Sequence, residues 1–445
     1  MRPPARCSAC LPSCSTSCWP PSINARGRAG PPAKTDHGFR IAMRVSTNQF
    51  YDNSIRAINS QQGALLQVSQ QLSAQRKLLS PADDPVASSR EVALDATLKA
   101  NEQMLRNQSD AKSTLEATEN YLVEAGNTVQ AALARVVQAG GGALNEENRQ
   151  SILADLKSLR DQLMSVANTR DENGNYIFAG YKRDNQPFVR NASGVVYQGD
   201  AGVRQSQIGP NRVIDVSFTG NYLFGDIPTG QNGLVVSADG ANTGSAALTS
   251  GVITDRQAWN AAAAFGPYTI EFGADGAYTV TDRDGAEVGT GTLGDGQVVE
   301  IAGVQVGFSG SPAEGDRLRF GPAESQSVFD TLDQAIAALS LPASETESTA
   351  RANALYEVNL NLNSALNRLL EARSSVGSRL NEIESATTAG EARSDQVTGE
   401  ISRVVGSDLE TMTELTGELA KRTYTVQAAQ QTYTQIARLS IFNFL

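Results

Sequence analysis

Heptad-spaced apolar residues near each end of the chain enclose a middle written in β-strand pattern, and this mirrored order restricts the fold more than any motif. Ile58, Leu65, Leu72 and Leu79 recur every seven residues and mark an amphipathic helical stripe. Near the other end Met412, Leu419, Val426 and Tyr433 do the same, interleaved with Leu415, Ala429 and Ile436, while Arg422 interrupts the second row. Inside these lie more regular seams. Ala111, Leu115, Thr118, Leu122, Ala125, Val129, Ala132 and Val136 alternate in steps of four and three, as do Ile152, Leu156, Leu159, Leu163 and Val166. Leu355, Val358, Leu362, Ala365, Leu369, Ala372, Val376, Arg379, Ile383 and Ala386 keep the same rhythm. Such spacing is the a/d seam of helices packed as a coiled coil.

Turn and cap residues punctuate these runs. The segment Ser80-Pro81-Ala82-Asp83-Asp84-Pro85 breaks the first helix and starts the next, with Asp84 as cap and Pro85 at the first helical position. Gly140-Gly141-Gly142 ends that helix, and Asn145 with Glu146 and Glu147 opens another. At Asp171-Glu172-Asn173-Gly174 the pattern changes, because Asn-Gly turn chemistry precedes Tyr176-Ile177-Phe178. Short β-rich runs then alternate with turns to about Phe320, among them Val195–Tyr197, Val213–Phe218, Tyr268–Phe272 and Tyr278–Val280. Asp282-Arg283-Asp284-Gly285 reads as a hairpin turn; a calcium loop needs more spaced carboxylates and a closing Glu. Helix returns near Ser327.

The expected fold class is α+β: long heptad-patterned helices from both chain ends form a helical bundle or coiled coil, with an inserted all-β domain at the tip. The expected divisions are an N-terminal assembly helix over 43–90, a helical domain built from 91–180 and 326–400, the β domain over 181–325 and a C-terminal assembly helix over 401–445.

Residues 1–42 stand apart. They hold all four cysteines (Cys7, Cys10, Cys14, Cys18) and the single histidine, His37, in a Pro-, Arg- and Ser-rich stretch without apolar periodicity. The cysteine spacing lacks the longer loop that structural zinc sites bracket between ligand pairs. A disordered leader or a spurious extension is expected there, with Met43 as the natural first residue. From Met43 onward the chain carries 31 basic and 47 acidic residues, a net charge of −16. This makes nucleic acid and anionic membrane surfaces poor partners. No apolar run of about 18 residues exists, so membrane insertion is not expected.

The same stretch lacks His and Cys, the commonest general base and the thiol nucleophile. No Gly-rich phosphate loop follows a strand, and the Asp83-Asp84 pair is read as helix-start chemistry rather than catalysis. The chain is therefore expected not to be an enzyme and to use neither cofactor nor metal. The outermost helices are marginal: Gly63, Gly399, Gly406 and Gly417 each cost about 1 kcal/mol against Ala within a helix. Their polar positions are Gln, Ser, Thr and Asn, with little ion-pair support. The apolar end Ile441-Phe442-Asn443-Phe444-Leu445 is costly in water. Packing against other subunits, rather than folding back, is the expected remedy, and it adds Phe442 and Leu445 to the assembly residues.

Several segments in order resemble the flagellin family, and within it the hook–filament junction subgroup. Met43–Asn48 resembles the family's start, and Leu79–Ser88 its Asp-Asp motif (Asp83, Asp84) in a Pro-containing form. Ala167–Arg170 through Gly180, with Asn173, Gly174, Tyr176 and Phe178, is similar to the junction subgroup, as are Ser309–Asp316, Arg373–Asn381 and Gln427–Ala429. The resemblance spans 43–445 and is weakest over 190–300. It implies export through the flagellar type III apparatus, an extracellular location in the flagellum, and terminal helices that order into an inner tube. It also implies partners: further copies of the chain in a ring, the first hook-associated protein, flagellin, and a cytoplasmic export chaperone on the C-terminal helix. Three other readings stay open. A flagellin filament subunit differs by its high copy number, and an unrelated coiled-coil adhesin or scaffold needs an anchor or signal peptide. An enzyme concealed in 181–320 needs turnover that depends on a specific Asp.

Overall fold

The computed structural model describes residues 47–141, 145–192, 194–294, 297–342 and 345–442, so the expectations for residues 1–42 and for Leu445 lie outside the described residues. Seven α-helices are described: α1 (Thr47–Ser73), α2 (Pro85–Gly140), α3 (Glu146–Ala167), the short α4 (Arg256–Ala262), α5 (Val328–Ser340), α6 (Glu345–Val405) and α7 (Leu409–Phe442). The chain forms two compact units, Val68–Glu418 and Met1–Gln67 with Leu419–Leu445.

In the larger unit α2 and α6 run along each other, α3 packs on α2, and α5 packs on α3 and α6. The heptad residues of α2 from Ala111 to Val136 are all buried. So are those of α3 and α6, except that Leu159 and Arg379 are half-buried. Arg379 uses its position: its guanidinium lies 4.6 Å from the Phe218 ring and donates to the Asp215 carbonyl at 3.1 Å. The caps form as the residue types require. Asp84 Oδ1 accepts from the Val86 and Ala87 N–H groups at 3.0 Å, Asn145 from Asn148 at 2.7 Å, and Ser327 from Phe329 at 3.1 Å.

The β region begins with two hairpins, β1–β2 (Phe188–Asn191, Gly194–Tyr197) and β3–β4 (Gln205–Gly209, Arg212–Asp215). There follow β5 (Ile227–Pro228), β6 (Leu234–Ala238), β7 (Ala247–Ile253), β8 (Tyr268–Phe272), β9 (Ala277–Thr281), β10 (Glu287–Thr292), β11 (Val298–Ile301), β12 (Val304–Ser309), β13 (Arg317–Pro322) and β14 (Ser325–Gln326). An antiparallel five-stranded sheet has the order β10-β9-β8-β13-β6, and a three-stranded sheet the order β11-β12-β7. Between these sheets Trp259, Tyr268, Phe272, Phe308 and Phe320 form a core of their own. The region is not purely β, since α4 contributes Trp259 to that core. Tyr176–Phe178, expected to begin the strands, is instead a turn-rich segment with one isolated bridge, Arg170 to Tyr176.

Two asparagines of α6 fasten the β domain to the bundle. Asn353 accepts from Leu248 N–H at 2.7 Å and donates to the Ala246 carbonyl at 3.1 Å, while Asn361 accepts from Gly230 N–H at 2.8 Å. Glu357 stands midway, four residues from each, and therefore on the same helix face. Burial pushes the Glu357 carboxyl above its ordinary value. A raised folded-state pKa means that the ionised form opposes folding. Glu357→Gln is expected to raise stability at neutral pH, and the advantage should shrink as pH falls through the raised pKa towards 4.5. Denaturant titrations at several pH values measure it; a gain independent of pH contradicts this origin.

Candidate functional site

The terminal helices hold the residues expected to drive assembly. On α1, Ile58, Leu65 and Leu72 are half-buried, and a second row, Ser54, Gln61 and Val68, interleaves with them. That row escaped an apolar search because two of its members are polar. Leu79 is a correction. Helix α1 ends at Ser73, Gln75 takes a positive φ, and the chain continues without helix, so Leu78 is buried while Leu79 stays 39% exposed. On α7, Leu415 and Val426 are buried, and Met412, Leu419, Arg422, Ala429, Tyr433 and Ile436 are half-buried. Phe442 is the last residue of α7. The expectation that these segments order only against other subunits needs amendment. In the smaller unit they cover each other in part, with the Tyr51 and Tyr433 rings edge to face at 6.0 Å.

Away from these seams, apolar side chains remain in water. Ile55 (43% exposed) and Leu66 (64%) lie eleven residues, or three turns, apart and so on one flank of α1. Tyr424, 74% exposed, lies nearly opposite the α7 seam at 100° per residue. Helices rich in Gln, Ser and Thr thus carry a partly buried seam and, away from it, exposed apolar side chains.

Within the larger unit, the chain breaks α1 and α6 at one elbow. Lys77 and Leu78 donate their N–H groups to the Val405 carbonyl at 2.9 and 3.0 Å. Gln71 Nε2 donates to the Lys77 carbonyl at 2.7 Å, and Arg76 pairs with Glu91 at 2.8 Å. Asp83 Oδ2 accepts from the Leu79 and Ser80 N–H groups at 3.1 and 2.8 Å. Asp83 and Asp84 thus do separate work, one closing the elbow loop and the other capping α2. Asp408 starts α7, and hydrogen bonds from the Thr411 N–H and hydroxyl hold its carboxyl below the ordinary range.

The second motif forms the neck between bundle and β region. Asn173 and Gly174 are exposed in a turn closed by Gly174 N–H to the Asp171 carbonyl at 2.9 Å. Tyr176 is buried and takes the Arg170 guanidinium over its ring at 4.4 Å. Phe178 is fully buried, edge to face with Phe224 at 5.8 Å, and Phe188, Phe329 and Tyr197 extend the cluster. Desolvation there pushes the Tyr197 hydroxyl up to about 12. Gly180 has φ +74°, and a Cβ there meets Asp200 Oδ1 at 2.2 Å, so no side chain fits. Tyr176, Phe178 and Gly180 are thus interior supports, while the Asn173-Gly174 turn stays at the surface. Among the described residues no group of three or more ligand-type side chains could hold a metal ion, and no helix is long and apolar enough to cross a membrane.

Residues 45–183 match the family model of the bacterial flagellin N-terminal helical region. The chain is 26% identical to flagellar hook-associated protein 3 of Escherichia coli K12 over 402 residues, which is 90% of this chain and 99% of that protein. The crystal structure of FlgL from Xanthomonas campestris is 31% identical, with a TM-score of 0.65, covering 69% of this chain and 99% of that one. The chain belongs to the FlgL (flagellar hook-associated protein 3) family. A further similar structure, the flagellar junction protein FlgL of Legionella pneumophila, is 28% identical with a TM-score of 0.62 over 71% of this chain and 99% of that one. In this family member, the fold is that of FlgL, with helices from both ends of the sequence and a β insertion between them.

Proposed function

We propose that this chain is a structural subunit of the bacterial flagellum that joins hook to filament and performs no catalysis. The observation that carries the reading is the apolar surface that α1 and α7 leave in water, with Ile55, Leu66 and Tyr424 exposed away from seams that are themselves only partly covered. Burying such a face returns about 25 cal/mol per Å². Helices that are weak alone gain order by stacking against others like them.

The subunit is exported, lies outside the cell, and assembles with further copies of itself into a ring. It contacts the first hook-associated protein on the hook side and flagellin on the filament side. Before export a cytoplasmic chaperone covers the seam of α7. The support for these partners is the family membership together with the two-faced terminal helices. A strain lacking the gene is expected to build intact hooks, attach no filament and release flagellin into the medium. Filaments retained on the hooks of that strain overturn the assignment. Copy number separates the rival reading, since a filament subunit is abundant and a junction subunit scarce.

A further inference from the structure

A cavity of about 860 Å³ lies beside the neck, between the middle of α2 (Asp110 to Tyr121), the turn at Arg170–Asn173, Arg183 and Arg204. Three guanidinium groups line it, and their situations differ. Arg170 is engaged by Tyr176, whose hydroxyl accepts from it at 2.8 Å. Arg183 pairs with Asp171, whose carboxylate also accepts from the Asn173 and Asn175 N–H groups. Among the described residues Arg204 has no ion pair. The Nε–H groups of Arg183 and Arg204 are both buried without an acceptor.

A buried donor without a partner costs stability, and a charged one costs more. Desolvation and the Arg183 charge both oppose the Arg204 cation, and Asp171, already held by Arg183, offsets them only in part. Asp110 and Glu172 line the same cavity as exposed carboxylates without closing on Arg204. The site therefore holds a cation without a bonded carboxylate beside the cavity, and the shielded Nε–H groups of Arg183 and Arg204 add to the cost of keeping it so. A guanidinium is the group best matched to a planar carboxylate, which it binds through parallel N–H bonds.

We propose that Arg204, supported by Arg183, forms a receptor for a carboxylate side chain presented by a second copy of this chain. Copies of a chain with 48 acidic and 37 basic residues present carboxylates in excess, so the anion nearest to hand in a ring is an Asp or Glu of the neighbour. The proposal rests on the self-assembly stated above, and its first test does not.

The purified chain is melted in rising acetate, with chloride lowered to hold ionic strength constant. Acetate is the carboxylate probe. A saturable upward shift of about 1–3 °C is expected. Arg204→Met removes a desolvated charge; it is expected to melt no lower than the parent chain without acetate and to lose the response. Arg204→Lys keeps part of the response. No saturable shift in the parent chain, or an equal shift in Arg204→Met, overturns the proposal.

The second arm uses cells carrying Arg204→Glu in place of the natural residue. Secretion of the subunit is expected at the parental level, with at least a several-fold loss of attached filaments. Normal filaments in that strain, whatever acetate does to the melt, overturn the neighbouring subunit as source. Loss of the hook–filament assignment itself is read separately, from the deletion strain.

Discussion

Replacing Phe178 by Ala is expected to lower the stability of the larger unit by about 3–5 kcal/mol, because the ring is fully buried among other rings. Phe178 meets Phe224 edge to face at 5.8 Å, and Phe224 meets Phe188 at 5.9 Å in the same manner. Phe188 in turn lies 5.2 Å from Phe329 at the start of α5, so the cluster ties the neck, the first hairpin and the returning helix. The Phe178 carbonyl also accepts from Gly220 N–H at 2.7 Å and the Tyr197 hydroxyl at 3.0 Å, so the surrounding backbone is held and has little freedom to collapse into the void. Urea titration should show the midpoint falling with the slope unchanged. A loss below about 1 kcal/mol means that the cluster repacks and the neck is softer than its contacts suggest.

The second large effect belongs to the elbow. Gly406 has φ +65°, where an L side chain is strained by about 1–2 kcal/mol, and an added Cβ lies 2.6 Å from the Lys77 Cβ. Gly406→Ala must push the 74–79 segment away from α6 or distort the end of α6 itself. Either movement breaks the Lys77 and Leu78 hydrogen bonds to the Val405 carbonyl. Amide exchange at those two residues should accelerate at least tenfold, the equivalent of about 1.4 kcal/mol, while the α2 seam from Leu115 to Val136 stays protected. Lys77→Gly in the same chain removes the closer steric contact and leaves the backbone strain and the 3.1 Å approach to Thr411 Cγ2, so it should restore some of the protection. Unchanged exchange at Lys77 and Leu78 in Gly406→Ala removes the elbow as a constraint on where α1 ends and α7 begins.

Seams and caps were legible because they are local properties. A side chain's face on a helix depends only on its position in a 3.6-residue cycle, so Ala111 to Val136 and Leu355 to Ala386 declare their buried side in the spelling. Asp84 and Asn145 likewise need only the next turn of backbone to act as caps. Leu79 failed for the same reason: the seven-residue count was carried past Ser73, where the helix had ended, since nothing in local pattern marks the reversal at Gln75. Polar seam positions such as Ser54 and Gln61 were invisible to an apolar count, although the regular step of three and four through them was present.

The sequence by itself determined the order of helix, strand and helix, the starts of the helices, and the absence of His and Cys from 43–445. Only tertiary structure decided what each polar residue is for. Asn353 and Asn361 bond to backbone more than a hundred residues away, Asp83 closes an elbow that meets the end of α6, and Arg204 shares a cavity with α2. Hydrophobic burial is non-directional and shows as a period along the chain. Hydrogen bonds and ion pairs are directional and short-ranged, so their partners become known only when the fold has brought distant backbone within reach.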